Sequence, residues 1–142
     1  MATDVKKMIR LVQERTAYGV PEKAPGVCTM QDEDGKPMIR LGFDAHRDCI
    51  AVIGYEAAPE VSVDICAALA ALCGLTLNRP VMAASSLTAE DLAAELSDDG
   101  KVDEENRMAL DAAIAMFKEA VRMYAKVYTE KKAQGIEWHG NV

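Results

Sequence analysis

The spacing of hydrophobic residues changes period along the chain, and each change marks a different kind of element. Over residues 3–17, Val5, Met8, Ile9 and Val12 recur at helical spacing while Lys, Arg, Gln and Glu fill the other side, which predicts an amphipathic N-terminal helix. The stretch YGVPEKAPG breaks that pattern with Gly and Pro and reads as a loop. Short strand-like runs follow at 26–30, 37–44 and 49–55. In the second, Ile39, Leu41 and Phe43 alternate with Met38, Arg40 and Gly42; the third is almost wholly apolar. The connections DEDGK and DAHRD are short polar turns, the first using Gly35 for a backbone angle that other residues resist. Short turns between consecutive strands predict an antiparallel meander with one face on a core.

After Pro59 the period becomes helical. Val61, Ile65, Ala68, Leu69, Leu72 and Cys73 form a stripe, and Gly74 stands where a helix C-terminus is expected. Thr88 opens a second helix, with Glu90 and Asp91 in the first turn where acids favour the amide end. Ser-Asp-Asp-Gly at 97–100 interrupts the chain again. Asp103 then opens the longest helix, to about Lys132, with a seam of Leu110, Ile114, Phe117, Val121, Tyr124 and Tyr128. The order predicts an α+β fold: a three-stranded antiparallel meander covered on one face by helices, with an N-terminal helix and a long C-terminal one. Residues 1–135 are expected to form one domain and 136–142 a flexible tail, although Trp138 could dock.

Composition narrows the partners. A net charge of −7 opposes nucleic acid and anionic lipid, and Lys126, Lys131 and Lys132 fall where cations offset the carbonyl end of a helix. No apolar run reaches the length of a membrane span, and MATDVKKMIRLVQER lacks the apolar block of a secretion signal. The cytoplasm is therefore the expected compartment, where disulfides are rare. Cys28, Cys49, Cys66 and Cys73 contain no C-x-x-C pair, so a zinc site is not indicated. Cys66 and Cys73 share a helix face of Ala and Leu, as small core residues do.

Catalytic signals are scarce. His46 falls in the DAHRD turn and His139 in the tail, and no nucleophile elbow, phosphate loop or H-E-x-x-H motif occurs. The acidic turn QDEDGK fails as an EF-hand, because with Gly35 at the sixth position the first is Met30 and the twelfth Leu41. A cysteine nucleophile would need a thiolate beside a base or cation; Cys49, near His46 and Arg47, and Cys28 are the candidates.

From Asp34 to Tyr124 the chain resembles the scaffold family of iron–sulfur cluster assembly, of the IscU and NifU N-terminal type. Asp34-Gly35-Lys36 precedes the strand PMIRLGF, where the family has C-G-D. The helix after Pro59 ends in Gly74-Leu75-Thr76-Leu77, where the family has G-K-S-L. In ALDAAIAMFKEAVRMY, Ala113, Phe117, Ala120, Val121 and Tyr124 match the family's small, apolar and aromatic positions. By this resemblance the three cluster-ligand cysteines fall on Asp34, Ala58 and Ala109. Two methyl groups and one carboxylate cannot replace the thiolates that hold a [2Fe–2S] centre, so no cofactor and no resident metal are expected. A cluster would require a different alignment, such as Cys66, Cys73 and a partner's residues.

The resemblance implies a non-catalytic accessory or binding protein, docking protein partners of iron–sulfur or sulfur metabolism through the exposed side of the sheet and the helix starts. A helix start at Ala58-Pro59 would also offer amides to an anion. The rival readings are a SufE-like persulfide acceptor using Cys28 or Cys49, and a homodimer paired through the C-terminal seam with an unrelated function.

Overall fold

The computed structural model describes residues 10, 18–97 and 101–142. The expected N-terminal helix, residues 3–17, lies outside these except at Arg10. The strands are β1 (Gly26–Gln31), β2 (Pro37–His46) and β3 (Cys49–Ala57), in the order β1-β2-β3 with both pairs antiparallel. The helices among the described residues are α1 (Val63–Thr76), α2 (Val81–Ala84), α3 (Ala89–Leu96) and α4 (Glu104–Ala133). The α+β meander read from the sequence is the observed architecture.

The alternation in β2 sends Ile39, Leu41, Phe43 and Ala45 to the helix-covered face, where all are buried. In β3 alternation fails, and the register explains why. Asp44 pairs with Val52 but Ala45 pairs with Ile50. The extra residue is a bulge, and it lets Ile50 and Ile53, three apart, both point into the core. The turn between β2 and β3 is also tighter than expected. His46 pairs with Cys49 at the end of the ladder, leaving only Arg47 and Asp48, at φ 52° and 62°. Two successive left-handed residues form the hairpin turn whose twist matches the strands, usually made by Asn-Gly or Asp-Gly. Arg-Asp carries no such signature.

Helix α1 begins later and ends later than expected. Ser62 caps it, its hydroxyl accepting from the Ile65 amide at 3.4 Å, and it runs through Gly74 to Thr76. The left-handed residue after it is Asn78, at φ 69°. From Ala67 to Cys73 every residue is buried, because α1 packs on β3, α3 and α4 together. A helix enclosed on several sides shows no single stripe. Its alanines let those neighbours come close.

Helix α3 starts with a full capping box. The Thr88 hydroxyl accepts from the Asp91 amide, and the Asp91 carboxylate accepts from the Thr88 amide at 2.9 Å. Helix α4 carries Leu110, Ile114, Phe117 and Tyr124 into the same core, so these residues of the seam pack on this chain's own sheet and α1. Arg107 on α4 donates to Glu90 on α3.

The outer face of the sheet is partly covered. A Cβ on Gly42 would lie 2.7 Å from Val20 Cγ1, so the loop before β1 crosses the strands where they lack side chains. That loop is held by Gly19 N donating to Tyr55 O at 2.7 Å and Val20 N to the Glu56 carboxylate at 3.1 Å. No helix among the described residues is long and apolar enough to cross a membrane.

Candidate functional site

The positions expected to match cluster ligands lie on different kinds of structure. Asp34 is exposed in the β1–β2 turn, which Asp32 organises: one oxygen of its carboxylate accepts from the amides of Asp34 (2.9 Å) and Lys36 (2.8 Å). Ala58 follows β3, its amide donating to Met38 O at 2.8 Å and its carbonyl accepting from Val61 N at 3.0 Å. Ala109 is buried on the core side of α4, 5% exposed. Among the described residues, no group of three or more His, Cys, Asp or Glu side chains is arranged to hold a metal ion. Those three expected positions present one carboxylate and two methyl groups, which would not hold an iron–sulfur cluster.

The expected anion site moves with the helix boundary. Ala58 and Pro59 form a turn, and the amide end of α1 begins beyond Ser62. That end already has its acceptors. The Ser62 hydroxyl takes one amide, and Asp64 stands in the first turn. Asp64 also accepts from the Asn106 side chain at 2.8 Å, tying the first turn of α1 to that of α4. A carboxylate placed there competes with any incoming anion.

What the Ala58 region does offer is an apolar cavity of about 400 Å³. Its walls include Tyr55, Pro59, Val61, Val63 and Cys66, with Tyr18 edge-on to Tyr55 at 5.5 Å between ring centroids. Ala58 lines it; Asp34 and Ala109 do not.

The four cysteines are free. Burial pushes the Cys28 thiol above its ordinary value, and the nearby Glu119 carboxylate pushes it the same way. Burial alone raises Cys66, and raises Cys73 from 9.0 to about 12. A persulfide acceptor needs the opposite shift, so Cys28 is poorly suited to the role. Cys49 is half-buried in the ladder opposite His46, with Pro80 bridging its other side.

A different cluster, not read from the sequence, gathers at the β2–β3 turn. Asp48 accepts from Tyr124 Oη at 2.7 Å through one carboxylate oxygen and meets His139 Nδ1 at 2.7 Å through the other. Trp138 packs on Tyr124 at 5.0 Å, and Tyr124 on Phe43 at 5.4 Å. Residues 136–142, expected as a loose tail, are therefore docked. Asp48 N donates to His139 O (2.8 Å), Asn141 N to Asp44 Oδ1 (2.9 Å) and Val142 N to Ala45 O (3.1 Å). At Gly140, φ is 115° and an added Cβ would lie 1.9 Å from Ala45 O. The available signals were two tyrosines at the end of the α4 seam and a Trp-His pair beyond it. Sequence spacing gave no reason to bring them to Asp48.

No protein-family model and no curated protein matches the sequence. Among solved structures, sixteen chains match. One is from the thermophile Fervidobacterium islandicum AW-1 and is described as an iron–sulfur cluster assembly scaffold protein for the SUF system. It is 16% identical, with a TM-score of 0.50, over 85% of this chain and 88% of that one. The likeness is one of fold. At this identity it carries no ligand residue from one chain to the other.

Proposed function

We propose that this chain is a scaffold-fold protein of iron–sulfur cluster assembly that does not hold a cluster itself and acts by binding protein partners of that system in the cytoplasm. One observation carries the reading. The fold is shared with a chain described as an assembly scaffold, and by the sequence resemblance the ligand positions fall on Asp34, Ala58 and Ala109, none of which carries a thiolate. The raised Cys28 thiol weighs against the persulfide alternative. The iron–sulfur cluster belongs, on this reading, to the partner as cargo.

Anaerobic reconstitution with iron and sulfide, followed by desalting, absorbance spectra and metal analysis, tests this. The expected result is no stable visible chromophore and far less than one metal per chain. A stoichiometric coloured species would overturn it, and replacing Cys28, Cys49, Cys66 and Cys73 in turn would then find the ligands. For the partner role, the chain added to a purified scaffold and its cysteine desulfurase should change the rate of cluster formation. An unchanged rate at saturating chain would remove the accessory function while leaving the fold assignment intact.

A further inference from the structure

We propose that the C-terminal segment is a pH-sensitive latch, with His139 on Asp48 as its catch, closing over the ring of Tyr124. The geometry carries this in three parts. First, the segment is held by polar bonds to one short hairpin end rather than by deep burial: its partners are Asp44, Ala45, His46 and Asp48. Second, it covers something apolar. The rings of Phe117, Phe43, Tyr124 and Trp138 run in sequence from core to surface, at centroid spacings of 5.9, 5.4 and 5.0 Å. Third, a cavity of about 320 Å³ lies against the latch, lined by Tyr128, Lys132, Ile136, Trp138 and His139. Releasing the segment removes one wall of that cavity and uncovers Tyr124.

The catch is a group that titrates near neutrality. The charged and titratable groups around it are Asp48 in the hairpin turn, with Arg47 beside it; Asp44 and His46 at the end of β2; Tyr124, Tyr128 and Lys132 from α4; and Glu137 on the segment itself. Asp48 and Glu137 meet the imidazole directly, at 2.7 and 3.4 Å, and both favour its charged form. The closed state therefore holds the His139 proton above its ordinary value of 6.5, the hydrogen bond to Asp48 being the main cause. The sign follows by linkage. Charge-assisted closure is complete below the ordinary value and is lost as pH rises through the raised one. Neutral imidazole can still donate one N–H to Asp48, so the latch loosens instead of vanishing.

Trp138 is the only tryptophan in the chain, so it reports on the latch directly. The experiment follows quenching of its fluorescence by neutral acrylamide across the neutral range, since emission intensity alone responds to a nearby imidazolium. In the wild-type protein, accessibility should rise several-fold with increasing pH, with a midpoint above 6.5. His139→Gln, which keeps a donor but not the charge, should abolish the transition. Glu137→Gln, which removes one of the two carboxylates that favour the charged imidazole, should retain it with a lower midpoint. A flat wild-type profile, or an unchanged midpoint in His139→Gln, would overturn the proposal. Circular dichroism shows whether each variant is folded. Should His139→Gln not fold, an unchanged midpoint in Glu137→Gln would overturn the assignment to His139 instead.

Discussion

At the scale of single residues, burial rather than charge sets the chemistry of the thiols. Cys73 is enclosed by α1 and its neighbours, and its thiol is pushed up to about 12. Above its ordinary value of 9.0 the unfolded chain ionises there while the folded chain does not. The folded state then binds more protons, so stability falls with rising pH, by about 1.4 kcal/mol per unit from this one group. The loss stops once the folded value is passed. Tyr124, raised by burial and by Asp48, adds to the same alkaline limb. Urea denaturation at a series of alkaline pH values should show this decline, and Cys73→Ala should flatten it without removing it. A native thiol titration should likewise leave Cys73 unreacted until the protein unfolds. Fast labelling of Cys73 in the folded protein would contradict its burial.

Elements differ in how openly the sequence announces them. Strand β2 and helix α4 are legible because each buries one regular face. Helix α3 was legible through its cap. Thr88 and Asp91 satisfy two amides reciprocally, and Leu92 and Leu96 then bury against α1 and α4. Thr88→Ala should lower stability by about 1 kcal/mol, read as a shift of the urea midpoint with an unchanged slope. Thr88→Ser, which keeps the oxygen, should recover most of it. The start of α1 was misread because Pro59 looked like a helix opening, whereas the hydroxyl that captures the first amides belongs to Ser62. The β3 bulge and the Arg47-Asp48 turn were hidden for a related reason. Neither uses the residues that usually mark it, and both are stabilised by contacts distant in sequence, from Asn78–Val81 on one side and the C-terminal segment on the other.

For the whole molecule, the sheet, its order and its helical cover are legible in the sequence, whereas the Asp48 cluster is not. Asp34, Ala58 and Ala109 rest on sequence pattern alone, and of the three only Ala58 lines the cavity beside Tyr55. The Asp48 cluster draws on the hairpin, α4 and the segment after it, so only the folded chain assembles it. The same folding consumes the apolar seam of α4. With Leu110, Ile114 and Phe117 inside, sedimentation over a wide concentration range should return a 15.4 kDa monomer. A mass rising with concentration would place a pairing surface elsewhere, with Met82 (79% exposed) and Met108 (67% exposed) as the first residues to replace.

Gly140 has a bearing on how sequence variation in this protein would be read. Its backbone angle and its approach to the Ala45 carbonyl exclude every side chain, while Asn141 and Val142 hold the segment through backbone amides that other residues also supply. In a saturation library, position 140 would stand out as intolerant beside permissive positions 141 and 142. Such a signature is commonly taken for a recognition motif. Here it would record a steric constraint: the segment can lie flat on the hairpin only where one residue contributes no Cβ.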